Sequence, residues 1–165
     1  MTEDIDPDFD PTKHTLTDSS YFEDLEIGQR FLSPSRTLGD ANFAAFQTVS
    51  ADNHPIHYDI EYCKRRGHPG MLAHGLQVAA QCAPGAGMLP HVLEESLIAL
   101  IEHSAKFLKP VYSGDTVYPA LEIIDLTPRN TTGVITLRTT VHNQRRQLVL
   151  EGEQKMLVKK RPITA

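Results

Sequence analysis

Between Leu72 and Ala83 the chain offers one short run of mostly apolar, good helix formers, and Pro84, Gly85 and Gly87 stop it. Four β-rich segments follow, SLIALIEHSAKFLKPVY, DTVYPALEIIDLT, TGVITLRTTVHNQ and QLVLEGEQKMLVKK, separated by the turn-forming stretches SGD, PRNTT and NQRRQ. In the third of them Ile135, Leu137, Thr139 and Val141 alternate with Val134, Thr136, Arg138 and Thr140, which is the period of a half-buried strand. A helix apolar on nearly every side is normally buried. The pattern therefore predicts an α+β fold: a curved antiparallel β-sheet wrapped around a central buried helix.

Upstream, RFLSPSRTL reads as a short strand that Pro34 confines to an edge or makes irregular. GDANFAAFQTVS reads as a helix with Asp40 as N-cap and Phe43, Phe46 and Val49 as one apolar face. DIEYCKRRG forms a second short helix between Asp59 and Gly67, and His68-Pro69-Gly70 is a turn.

The 165 residues, 40% hydrophobic, suffice for one core and leave no room for a second. Glu3, Asp4, Asp6, Asp8, Asp10 and Asp18 against Lys13 place the whole net charge of −5 in the first 20 residues. Residues 1–20 are thus expected to be an acidic, flexible tail, and residues 21–160 a single domain of balanced charge. The tail lacks the basic and apolar regions of a signal peptide, no run is long enough for a membrane span, and no basic surface suits nucleic acid. Cys63 and Cys82 have no CxxC spacing, so reduced thiols and a soluble cytoplasmic protein are expected.

The loop SADNHPIHYD carries Asp52, His54 and His57 around Pro55. One carboxylate and two imidazoles at intervals of two and three resemble a metal set, but Pro55 holds His54 extended and the spacing matches no known metal motif. The same residues make an ordinary polar turn. They also make an acid/base pair, because an imidazole beside a carboxylate can take a proton from water and return it elsewhere. From the loop alone the three readings stay open.

Three linked motifs go further: Asp52-Asn53-His54-Pro55-Ile56-His57, then Ala73-His74-Gly75, then Lys109-Pro110-Val111-Tyr112-Ser113-Gly114-Asp115. Their order and spacing, across residues 21–158, resemble those of the MaoC-like dehydratases and (R)-specific enoyl-CoA hydratases of the hot-dog superfamily. The resemblance implies a hot-dog fold with the Leu72–Ala83 helix at its centre and an overhang over residues 40–70 that shelters an acyl chain. It implies Asp52 and His57 as the catalytic pair that activates water, no metal, and no cofactor beyond the coenzyme A that carries the substrate. The Gly75 N–H would bind the thioester oxygen, glycine allowing its close approach, with His74 and His54 beside the substrate. Lys64, Arg65 and Arg66 would meet the coenzyme A phosphates. The expected partners are an acyl-CoA and a second copy of the chain, as homodimer or higher oligomer. The expected reaction is the reversible conversion of a trans-2-enoyl-CoA to an (R)-3-hydroxyacyl-CoA, against the alternatives of a hot-dog thioesterase or a non-catalytic acyl-thioester-binding subunit. Two departures stand out: His54 replaces the motif's Asn, and Ala83 takes the place of a serine found in some members. Arg145 and Arg146 are expected at a solvent-facing hairpin tip.

Overall fold

The computed structural model describes residues 6–162. In chain order the elements are β1 (Arg30–Leu32), β2 (Arg36–Thr37), α1 (Asp40–Ser50), α2 (Ile60–Arg65), α3 (Gly75–Ala80), α4 (Leu89–Leu93), β3 (Leu97–Phe107), β4 (Thr116–Pro128), β5 (Thr132–Asn143) and β6 (Leu148–Lys159). All six strands join one antiparallel sheet in the order β1-β4-β5-β6-β3, with β2 also on β4. The first strand is broken at Ser33–Ser35 and lies on an edge, as Pro34 requires.

The four β-rich segments are the four long strands, but they do not form a simple meander. β3 pairs with β6, Phe107 opposite Leu150, so the chain crosses the sheet between Phe107 and Thr116 to reach β4. That crossing segment holds the start of α3: the Ala73 N–H donates to Val111 O at 2.8 Å and the Ser113 N–H to Met71 O at 2.9 Å. It ends in a turn at Tyr112–Asp115, where Gly114 has φ +89°, a conformation that costs a residue with a Cβ.

The inward rows of the sheet meet two short helices rather than one. Leu89 and Leu93 of α4 pack with Ile135, Leu137 and Met156, while Val78 and Ala79 of α3, with Cys82, pack against Val141, Val149 and Leu150. Fully burying such a side chain contributes about 1.5–3 kcal/mol, so these rows fix both helices on the sheet. The central helix is shorter than the sequence pattern. Leu72 bridges to Tyr112 in extended geometry and Pro84 forces Ala83 out of the helix, so only Gly75–Ala80 is regular. Nor is it covered on every side, since Leu76 is 69% exposed.

Two further expectations change and a third is extended. The N-cap of α1 is Gly39, whose N–H donates to the Asn42 side chain, and Asp40 instead accepts from the Ser113 hydroxyl. Phe43 is buried and Phe46 half-buried, but Val49 is 85% exposed because the helix leaves the core in its last turn. Arg145 lies at the exposed hairpin tip as expected, and there its Nη1 and Nη2 donate to the Asp115 carboxylate at 2.9 and 3.1 Å. Asp115 also accepts from the Tyr112 N–H and from Gln144 Nε2. Burial works to raise this carboxyl, but these donors together hold it below its ordinary value.

Cys63 and Cys82 are both buried and unpaired, and burial pushes the Cys82 thiol up to about 12. No described helix is long and apolar enough to cross a membrane. Of the acidic extension, residues 1–5 lie outside the described part, and at Ser20 the chain is tied to the body, its N–H donating to Val92 O and its carbonyl accepting from the Ser96 hydroxyl.

Candidate active site

The loop that carries Asp52 and His57 is built from its own polar groups. α1 ends at Ala51, which takes left-handed geometry at φ 55° and turns the chain back over the sheet. Asp52 Oδ1 then accepts the His54 N–H at 3.2 Å, and His54 Nδ1 accepts the Ile56 N–H at 3.3 Å. The second bond caps a single 3₁₀ turn, Pro55–His57, which Pro55 starts with a preset φ. The turn is fastened to the entry of α3 by the Leu72 N–H, which donates to Ile56 O at 3.0 Å, and by His57 itself.

That last contact decides which nitrogen of the ring carries the proton. His57 Nδ1 lies 2.6 Å from Leu72 O. A carbonyl only accepts, so Nδ1 carries the proton of the neutral ring and Nε2 keeps its lone pair. Burial lowers the His57 pKa below its ordinary 6.5, and the neighbouring His74 and His54 rings add to this, whereas the Leu72 carbonyl and Asp52 oppose it. The imidazole is thereby held as a neutral base.

His74 lies directly beneath it. It is the N-cap of α3, only 3% exposed, with its ring stacked on His57 at 3.7 Å and an interplanar angle of 19°. Phe46 of α1 contacts the same ring at 4.9 Å, which is what the overhang contributes here. His74 Nε2 sits 2.9 Å from the Tyr58 hydroxyl, 3.2 Å from the Asp52 carbonyl and 3.9 Å from Asp52 Oδ2. Burial raises the Tyr58 pKa, with the Asp52 charge adding to it, so this hydroxyl keeps its proton. Asp52, His57 and His74 each place a side-chain donor or acceptor within 4.8 Å of the others. Stacked rings aim their in-plane lone pairs side by side instead of at one point, and His74 Nε2 is engaged by Tyr58, so the trio is arranged for handling protons better than for chelation.

Beside the trio runs a groove of about 390 Å³ lined by Leu72, Ala73, Gly75, Phe107, Lys109 and Val149, among others. The Gly75 N–H, first in α3, has no hydrogen-bond acceptor among the described residues. Glycine at this position has a packing reason: a Cβ there would meet the Phe107 ring at 3.0–3.2 Å. The close approach seen at Gly75 is therefore to Phe107.

The remaining sequence candidates lie further out. The His54 ring is exposed, edge-on to Tyr62 at 5.8 Å and 6.3 Å from the His57 ring. Lys64 is paired with Glu61 at 2.7 Å, and the Arg65 and Arg66 guanidinium groups lie 5.9 and 5.3 Å from the Tyr62 ring centre on the exposed side of α2. Ala83 is exposed in the turn after α3. Sequence reasoning missed Tyr58, Phe46 as a ring partner of His74, and the Leu72 carbonyl. Tyr58 adjoins a motif histidine and was open to notice; a backbone carbonyl leaves no trace in residue identity.

Comparison with known proteins agrees with this architecture. The family model described as MaoC like domain matches residues 23–144. An (R)-specific enoyl-CoA hydratase from Rhodospirillum rubrum is 30% identical over 142 residues, covering 84% of this chain and 91% of that protein. Among solved structures, a monoamine oxidase regulatory protein from Archaeoglobus superposes with a TM-score of 0.81 at 28% identity, covering 90% of this chain and 99% of that one. A Mycobacterium tuberculosis protein with a double hotdog fold superposes with a TM-score of 0.74 at 28% identity, covering 89% of this chain and 46% of that one. The sheet, the helix laid against it and the matched residues lead to one conclusion: the fold is a hot-dog and the chain belongs to the MaoC-like family.

Proposed function

We propose that this protein reversibly hydrates a trans-2-enoyl thioester carried on coenzyme A, giving the (R)-3-hydroxyacyl thioester, with Asp52 and His57 activating one water. The observation that carries the reading is the Nδ1 bond of His57 to Leu72 O, which leaves the Nε2 lone pair free on a ring gathered with the Asp52 carboxylate and His74 within 4.8 Å, next to a groove lined by Leu72, Ala73 and Gly75. Family membership and the hydratase relative support it.

In this mechanism the water lies between the carboxylate and Nε2. Its oxygen bonds to C3 while one of its protons passes to the site, and the electrons of the C2=C3 bond move toward the thioester carbonyl. The enolate-like oxygen takes the unpartnered Gly75 N–H as hydrogen-bond donor. C2 then receives a proton from the site, so that water is consumed whole and the thioester survives; dehydration retraces the path. The exposed Arg65 and Arg66 are offered to the carrier's phosphates. A second copy of the chain would pair along β3, where Ile98, Leu100, Ile101 and Phe107 are exposed on the sheet's edge strand.

The test is incubation with crotonyl-CoA while following the enone absorbance, the free thiol and the configuration of the product. Loss of absorbance without thiol, yielding the (R)-alcohol and absent in Asp52→Asn, is the expected result. Thiol release would instead identify a thioesterase, and tight acyl-CoA binding without turnover on any enoyl chain length would identify a binding subunit.

A further inference from the structure

The bonds of His54 tie together both halves of the proton-handling pair, though it is exposed and does not line the groove. Its backbone N–H holds Asp52 Oδ1 at 3.2 Å, and its ring Nδ1 accepts the Ile56 N–H at 3.3 Å. Ile56 is the middle residue of the 3₁₀ turn that presents His57. That turn is only three residues long and has no buried side chain, so its geometry depends on its caps, on the two bonds to Leu72, on the Cys63 thiol that donates to Ile56 O at 3.1 Å, on the Asp59 N–H that donates to Pro55 O and on the His57–His74 ring stack.

A backbone amide can only donate, so the cap exists only while His54 Nδ1 is unprotonated. Protonation would set two N–H groups against each other and turn a bond into a repulsion. Because the ring is exposed, protons reach it from solvent without any opening of the fold. The groups that face it are Tyr62 from α2, with the Arg65 and Arg66 guanidinium groups by the same ring, and His57 and Asp52 from its own loop; Glu61 of α2 is paired with Lys64.

We propose that His54 is a proton-sensitive positioning residue: its imidazole caps the turn that presents His57, and its protonation releases that turn and lowers turnover. The inference of an effect on turnover rests on the hydratase reading, whereas the cap itself does not. His54 acts here through His57 and touches no reacting atom.

The experiment pairs enzyme kinetics with amide NMR on the full chain, comparing wild type with H54N and H54A. Asparagine caps with an oxygen that does not titrate in this range, so H54N separates capping from charge. In the wild type the Ile56 amide resonance should show an inflection between about pH 5 and 8, the range in which imidazoles titrate, that follows the His54 ring; in H54N that inflection should disappear. Correspondingly, the acid limb of log kcat/KM should be steeper than one proton in wild type and reduce to one proton in H54N. H54A, uncapped at every pH, should lose about three- to tenfold in kcat/KM, and H54N should recover most of that loss. An Ile56 amide with no inflection in wild type, or with the same inflection in H54N, overturns the proposal, as does an H54A rate equal to that of H54N. If the amide behaves as stated while no enoyl thioester is turned over, the proton-sensitive cap stands and the hydratase reading falls.

Discussion

At His57 the identity of one residue matters less than which nitrogen is occupied. Had Nδ1 been left to solvent, both tautomers would be populated and one of them would present a proton where the proposed mechanism requires a lone pair. The Leu72 carbonyl removes that ambiguity. Asp52→Asn and His57→Ala should each reduce kcat by at least about 100-fold, the usual contribution of a general acid or base, with an unchanged circular dichroism spectrum. A rate within a few-fold of wild type in either variant would remove that residue from the mechanism. The pH dependence follows from the burial that lowers the His57 pKa. Since protonation is disfavoured in the folded state, activity that needs the neutral ring should persist below pH 6.5, with the kcat/KM limb of H54N falling only under that value. Stability has the same sign: the contribution from His57 is full above its unfolded value near 6.5 and is lost as pH falls through the lower folded value, which a series of denaturant titrations across that range would register.

Elements hold this site through their ends. The crossing segment between β3 and β4 carries the bonds to Met71 and Ala73 that seat the start of α3, and the turn closing it is clamped to the β5–β6 hairpin by Asp115 and Arg145. Asp115 is 5% exposed, so Asp115→Ala strips four hydrogen bonds from a buried position. A loss of about 2–3 kcal/mol is expected in equilibrium unfolding. Because its partners hold that carboxyl low, the wild-type clamp is complete above pH 3.8 and released as pH falls through the lowered value. At the other end of the site, Ala51 closes α1 in left-handed geometry, φ 55°, where a Cβ is unfavourable. Ala51→Gly should therefore add up to about 1 kcal/mol to unfolding stability; a decrease would mean that the unfolded chain's gain in freedom outweighs the relief.

The whole molecule has one sheet edge at β1 and β2 and the other at β3. The β3 edge is long and carries exposed Ile98, Leu100, Ile101 and Phe107, and α3 adds the exposed Leu76. An uncovered edge strand of this kind invites pairing with another chain. Light scattering after gel filtration should give the mass of a dimer, and Ile101→Lys, by placing a charge in the joined surface, should weaken it by on the order of 100-fold. A monomeric wild type at micromolar concentration would refute pairing along β3.

By itself the sequence determined the class of the fold and pointed to the residues that the structure gathers at the candidate site. Strand periodicity is a local property, so Ile135, Leu137 and Val141 announced the inward face of β5 without reference to any partner. Pro34, Pro55 and Pro84 act on their own backbone, and each marks a break or start where the structure has one. The linked motifs put Asp52, His57, His74 and Gly75 in one neighbourhood, and the structure gathers the first three within 4.8 Å. What tertiary structure alone decided is everything that depends on residues distant in the chain. The β3–β4 connection looks like any short loop until β3 pairs with β6. Arg145 looks like a solvated tip until Asp115 arrives beneath it. His57 looks like either tautomer until a backbone carbonyl 15 residues away accepts the hydrogen bond of its Nδ1–H. Local propensity is written in each residue, whereas a hydrogen bond across the fold exists only once packing has brought its two ends together.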